Sequence, residues 1–333
     1  MRILALRLRK MGDIALSLPA VEALRLLYPE AYIHYCAEEP FRSLVEGHPH
    51  IDGVSILSPQ DGLRASLAKI PSQPWDLIID FHGGPRSAWL TLFLKGKVKV
   101  GYKNRHRSAV YDFKVERSVP GRILHSTESQ LNLVRAVGYG GEAPSRLILP
   151  PVRQEVDSTV KEGLARFEGT PVAVHIGSGN RFRDWGEDRF TSLLEGMVER
   201  GWSPQLLGGR EDRERGGKLA SLSPGMIGDW TGKLDLSGLY SLIDKCRAFF
   251  GADSGPMHIA AATDTPIVAL FGPNLPQISG PWRKERVTIL ERPEPCRPCR
   301  QRECSPGDFR CHRTILPEEV LNALEGALLS GKV

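Results

Sequence analysis

One pattern recurs in both halves of this 333-residue chain: a short apolar run, a turn bearing glycine or aspartate, then a segment with helical spacing. Such alternation commits a chain to parallel sheets, because parallel neighbours need a crossover long enough to hold a helix. In the first half the apolar runs are residues 2–8 (RILALRL), 32–36, 54–57, 77–81 and 98–102. After a loop over 144–151 and a helix expected near 154–167, the pattern restarts. Its second set of runs is 172–176, 204–207, 248–252, 267–271 and 287–290. The expected architecture is α/β, with two doubly wound parallel-sheet domains, 1–150 and 151–316, facing across a cleft, and a closing helix over 317–333. Ligands of such folds sit at the carboxyl ends of strands, so the loops at 9–13, 81–86, 177–183, 208–212 and 253–257 matter most.

Two helices need comment. Ile14, Leu18, Val21, Leu24 and Leu27 share one face after the first strand, but Pro19 interrupts them. The helix therefore either begins near Ser17 or kinks at the proline. Near the C-terminus, Pro317 suits a first turn and Glu318 and Glu319 suit a helix N-terminus, while Val320, Leu324, Ala327 and Leu328 line one face.

The composition, 41% hydrophobic and 25% charged, is that of a globular protein. No apolar run approaches the ~18–20 residues of a membrane span. Arg7, Arg9 and Lys10 break the N-terminal apolar stretch, which argues against a signal peptide, and a soluble cytoplasmic protein is expected. Net charge is only +5, yet Lys95, Lys97, Lys99, Lys103, Arg105 and Arg107 crowd together, and a second basic region runs from Arg283 to Arg313. Such stretches suit anionic substrates, phosphates or an anionic membrane surface, although a plain solvated face is as common a meaning.

Chemistry concentrates in a few turns. Gly251-Ala-Asp-Ser-Gly-Pro-Met-His258 joins a strand to a helix rich in small residues. Asp253, Ser254 and Gly255 thereby fall at a helix start, where free N–H groups attract phosphate, or where they form an ordinary cap. His258, further along that helix, reads on its own as a buried structural histidine. In Lys10-Met11-Gly12-Asp13 a carboxylate stands at a strand end, either as a cap or as a general base. The loop 177–185 (GSGNRFRDW) combines two glycines with Ser178, Arg181 and Arg183, donors able to hold a pyrophosphate. The turn 208–212 (GGRED) offers acidic groups for ribose hydroxyls. No G-x-G-x-x-G or Walker pattern occurs, which argues against an ordinary dinucleotide enzyme or P-loop ATPase. Cys296, Cys299, Cys304 and Cys311 have the number of ligands for a structural zinc but irregular spacing, so reduced structural thiols are favoured over metal.

Together these pieces resemble the ADP-heptose:lipopolysaccharide heptosyltransferases of glycosyltransferase family 9, which have the GT-B fold of two Rossmann-like domains. The resemblance spans nearly the whole chain. It is carried by MRILALRLRKMGDIALSLPAVEALR, HIGSGNRFRDW, TGKLDLSGLYSLI, DSGPMHIAAATDTPIVALFGP and the tail CRPCRQRECSPGDFRCHRTILPEEV, the tail being most like the second heptosyltransferase type. It implies an inverting, metal-independent transfer of heptose from ADP-heptose to an inner-core hydroxyl, with no required cofactor. It also implies an acceptor-binding first domain, a nucleotide-sugar-binding second domain, and peripheral contact with the inner face of an anionic inner membrane.

By position in those motifs, Asp13 is the base, with Met11 and Gly12 shaping its loop. Ser178 and Arg183 contact the donor phosphates, Glu211 or Asp212 the ribose, and Leu234 the base. Asp253, Ser254, Gly255 and His258 complete the donor pocket. Family members often carry lysine where this chain has Arg183, which keeps the charge and changes its geometry. Two other readings stay open within the same motifs: a family 9 transferase for another sugar or a later core position, and a non-catalytic nucleotide-sugar binder. A nucleic-acid binder built on the cysteine cluster is disfavoured, because neither a zinc-module pattern nor an aromatic-rich binding motif surrounds it.

Overall fold

The computed structural model describes residues 1–118, 121–177 and 179–331. The chain divides into two compact units, Met1–Pro151 and Val152–Val333. The first holds strands β1 (Arg2–Leu6), β2 (Tyr32–Glu38), β3 (Gly53–Leu57), β4 (Trp75–Asp80), β5 (Gly96–Tyr102) and β6 (Phe113–Val115). Its helices are α1 (Met11–Ala15), α2 (Leu18–Leu27), α3 (Leu63–Ala68), α4 (Pro85–Phe93) and α5 (Ser126–Arg135). The second unit holds β7 (Thr170–His175), β8 (Trp202–Leu207), β9 (Gly228–Asp229), β10 (Ala248–Ala252), β11 (Ile267–Phe271) and β12 (Val287–Glu291). Its helices are α6 (Gln154–Leu164), α7 (Glu187–Glu199), α8 (Arg213–Ala220), α9 (Leu236–Lys245), α10 (Gly255–Ala260), α11 (Pro276–Ser279), α12 (Arg310–Arg313) and α13 (Pro317–Leu329).

Each unit is built on a wholly parallel six-stranded sheet, in the order β3-β2-β1-β4-β5-β6 and β12-β11-β10-β7-β8-β9. These are doubly wound α/β units of the GT-B class. Their central strands are covered on both faces, which is why RILAL, WDLIID and IVALF are nearly continuous apolar runs rather than alternating ones. Leu4, Leu6, Ile78, Leu90 and Leu94 share one core cluster of the first unit. In the second, Val172, Val174, Trp185, Phe190 and Phe250 pack with Val320, Leu321 and Leu324 of α13. The final helix is therefore a wall of the second core.

The proline in the first helical stretch acts as a divider. α1 ends at Ala15, and α2 begins at Leu18 with Ser17 at its N-cap and Pro19 in its first turn, where the missing N–H costs no bond. The winding reverses between β1 and β4 in the first sheet and between β10 and β7 in the second. At such switch points the loops after adjacent strands diverge and leave a crevice. The four connections concerned, each with any helix start that follows it, are 7–13, 81–84, 253–255 and, among the described residues, 177 and 179–183.

Candidate functional site

In the first unit the loop after β1 enters α1 directly, so Met11, Gly12 and Asp13 form its first turn. The Asp13 carboxylate accepts from the Lys10 backbone N–H (Oδ2, 3.3 Å) and pairs with Arg7 (Nη2–Oδ1, 2.8 Å). The two partners differ in exposure: the Arg7 side chain is 6% exposed and that of Asp13 47%. Arg7 also donates through Nη1 to the Phe81 carbonyl (2.7 Å), at the mouth of the loop after β4. One buried guanidinium thus ties the two switch-point loops together and fixes a half-exposed carboxylate between them.

The β4–α4 loop is itself held from below. Asp80 is fully buried, and it accepts from the backbone N–H groups of His82 (2.9 Å) and Gly83 (2.8 Å), from Ser87 Oγ (2.8 Å) and from the Tyr111 hydroxyl (2.6 Å). Burial pushes its carboxyl above the ordinary value, and these four donors pull it back. Gly83 has φ +65°, and a Cβ there would stand 2.9 Å from the Tyr102 ring, so a side chain would meet both strain and collision. His82 follows Phe81 immediately. Burial, then the fields of Arg7 and Arg9, lower its imidazole to about 4, so it is neutral at pH 7. Its buried Nδ1 has no hydrogen-bond partner among the described residues.

In the second unit the loops after β7 and β10 meet. Arg183 Nη1 donates to the Asp253 carbonyl (2.6 Å) and lies 3.3 Å from Asp253 Oδ2, while its Nε donates to Gln301 Oε1 (3.0 Å). Asn180 Nδ2 donates to the same Gln301 oxygen (2.6 Å). Asp253 is buried and also accepts from Asn274 Nδ2 and Ser279 Oγ, both at 3.2 Å. Ser254 stands at the N-cap position of α10 without a side-chain cap bond; its Oγ donates to the Ala252 carbonyl (2.9 Å) and stands 3.2 Å from His175 Nδ1. His175 is buried, which lowers its imidazole to about 4. Gly255 opens α10, and His258 is buried within it. Ser178 lies outside the described residues.

Glu211 is exposed on a 3-10 turn after β8, where Asp212 turns inward and accepts from the Gly209 N–H (2.7 Å). Leu234 lines an open hollow of about 370 Å³ with Glu155, Thr159, Lys233 and Asp235. No hydrogen bond among the described residues joins Glu211 or Leu234 to the Arg183–Asp253 cluster. The sequence reading missed Arg7, His82, Asp80, His175 and Gln301. Its available signals were a cation within an apolar strand for Arg7, and an aspartate and a histidine at strand ends for Asp80 and His175.

Cys296, Cys299, Cys304 and Cys311 are free thiols that line one hollow of about 260 Å³ with Phe182, Arg297 and Phe309. Burial pushes the Cys311 thiol up to about 11. Its Sγ lies 3.4 Å from His312 Nδ1, and His312 Nε2 donates to the Asp184 carbonyl (2.9 Å). No three metal-ligating side chains among the described residues stand at metal-holding spacing.

A fixed carboxylate thus stands at one switch point and an arginine-braced turn at the other, and comparison with known proteins gives the family. The family model for glycosyltransferase family 9 (heptosyltransferase) matches residues 64–309. The chain belongs to glycosyltransferase family 9. It is 29% identical to lipopolysaccharide heptosyltransferase 1 of Pseudomonas aeruginosa over 99% of both chains. It is 25% identical to lipooligosaccharide heptosyltransferase 2 of Haemophilus ducreyi, covering 98% of this chain and 99% of the relative. Among solved structures, a family 9 glycosyl transferase from Veillonella parvula superposes with TM-score 0.85 at 22% identity, covering 99% of this chain and 97% of that one. The ADP-heptose lps heptosyltransferase II of E. coli does so with TM-score 0.81 at 20% identity, covering 99% of both. This member of the family is thus a glycosyltransferase enzyme with the family's fold in both units, and no helix among its described residues is long and apolar enough to cross a membrane.

Proposed function

We propose that this chain transfers heptose from ADP-heptose to a hydroxyl of the lipopolysaccharide inner core, with inversion and without a metal ion. The observation that carries the reading is the end-to-end match to a lipopolysaccharide heptosyltransferase; the stretches on which the sequence resembles the family include switch-point loops of both sheets. In the proposed step Asp13 takes the proton of the acceptor hydroxyl as its oxygen attacks the anomeric carbon. The carbon–oxygen bond to the diphosphate breaks, and ADP leaves. Arg7 holds the carboxylate in place, leaving its outer face open to the acceptor.

Charge developing on the departing diphosphate needs donors already in position. Arg183, Ser178 and the backbone N–H groups of Ser254 and Gly255 are assigned that role, with Asp253, whose own N–H bonds the Leu270 carbonyl, and His258 behind them, Glu211 at the ribose and Leu234 at the base. Arg183 is already braced by Asp253 and Gln301, so its contact with phosphate is an exchange of partners. The cysteine-lined hollow has no step in this reaction; it pins the C-terminal segment, as reduced thiols or around a structural zinc. A lipid-borne acceptor places the enzyme on the cytoplasmic face of an anionic membrane. The test is product analysis: ADP-heptose is incubated with a defined inner-core acceptor and chelator, with mass spectrometry for the added heptose and NMR for its anomeric configuration. No heptosylated product, a retained configuration, or activity that chelator abolishes in folded protein would each overturn the part concerned.

A further inference from the structure

We infer that the outer face of α4, with the lysines beside it, is a docking surface for an anionic lipid bilayer. The inner side of α4 is ordinary: Ala88, Leu90 and Thr91 are buried, and Leu90 and Leu94 join the core. The outer side is not. Trp89, Leu92 and Phe93, at i, i+3 and i+4, are 55%, 45% and 57% exposed, and the two aromatic rings stack with centroids 6.1 Å apart. A solvent-facing helix stripe is ordinarily polar, and adjoining exposed aromatics mark an interaction surface.

Charge identifies the occupant. Residues 85–115 hold eight basic side chains and one acidic one, a net +7 against +5 for the whole chain, so the remainder is net acidic. Lys99 Nζ donates to the Leu92 carbonyl (3.3 Å), which places the side chains of Lys97 and Lys99 on the side of β5 that α4 covers. Lys114 of the edge strand β6 pairs in register with Gly101 and shares that face. Arg86 is matched by Glu38, Lys97 by Asp76 and Lys103 by Glu116, but Lys95, Lys99 and Lys114 make no ion pair among the described residues. Aromatic side chains that seat at the headgroup level, edged by unpaired lysines, fit a bilayer of anionic lipid; a second copy of this chain would bring its own unpaired lysines against these.

The inference extends the proposed reaction, whose acceptor is lipid-borne, yet it is read without substrate, so the two can fail separately. The full chain is sedimented with phosphatidylcholine vesicles, with and without phosphatidylglycerol, at low and high salt. Binding is expected only to the anionic vesicles, and weaker at high salt. Trp89→Ser with Phe93→Ser should weaken it at least tenfold, and Lys95→Glu with Lys114→Glu at least as much, since each lysine near such a surface contributes roughly fivefold. All four side chains are exposed, and unchanged thermal melting would verify that the variants fold. Absent binding, equal binding to neutral vesicles, or binding that neither variant alters would overturn the inference. So would light scattering that shows a dimer broken by the aromatic pair without vesicle binding.

Discussion

Asp13→Asn separates the two things a carboxylate at that position can do. The asparagine keeps the shape and one acceptor oxygen, so it can still receive either the Lys10 N–H or Arg7, while basicity is lost. The structure sets the stability cost. Arg7 is buried, but Asp13 is half-exposed, and Arg7 keeps its bond to the Phe81 carbonyl. The lost pairing is therefore nearer a surface ion pair than a buried one, about 0.5–1 kcal/mol. For a unit of this size that lowers the melting temperature by roughly 1–4 °C. Turnover should fall far more, by ~10²–10⁴-fold, the range for loss of a general base. The assay is ADP release from ADP-heptose and acceptor, with ADP affinity measured by calorimetry on the same preparation. Turnover within a few-fold of the parent would make Asp13 a cap, and collapse of the fold would make it structural; either refutes the assignment.

Three further outcomes are expected. Arg183→Ala should weaken ADP binding by roughly ten- to a hundredfold, the worth of a charge-assisted contact, with Arg183→Lys recovering much of it; unchanged calorimetric affinity in the alanine variant removes the residue from the donor site. His175 is held neutral in the folded state at about 4 against an ordinary 6.5, so its contribution to stability is whole above pH 6.5 and is lost as pH falls towards 4. Urea denaturation should show a loss of roughly 1.5 kcal/mol from this group between pH 6.5 and 5, and His175→Gln should flatten that slope; an unaltered slope would refute it. Cys296→Ser with Cys299→Ser should lower thermal stability and leave turnover intact, while elemental analysis of protein purified without added metal decides whether the four thiols hold zinc.

The strands were legible wherever burial on both faces made them apolar throughout: 248–252 and 267–271 stand as the sequence predicts them. The edge strands β3 and β12 were legible too, but β6 and β9 were not, because Phe113–Val115 and Gly228–Asp229 are two or three residues long and become strands only through a neighbour's ladder. Asp13 and Asp253 could be picked out as carboxylates in loops after strands. The bonds that brace their surroundings could not, since Arg7 reaches Phe81 across 74 positions and Arg183 reaches Gln301 across 118. Contacts of that range depend on which strands lie side by side, and sheet order is absent from local pattern.

The Gln301 side-chain oxygen has a consequence of its own. Both Asn180 and Arg183 of the β7 loop donate to it, and it belongs to the irregular, cysteine-bearing stretch that precedes α12. An anion that draws the Arg183 guanidinium to itself leaves this stretch one tether fewer. Linkage is reciprocal, so whatever loosens the stretch releases Arg183 for the anion by the same factor. With Arg183 in its proposed place at the donor phosphates, amide hydrogen exchange across 296–309 becomes a gauge of donor occupancy, readable far along the chain from the group that binds.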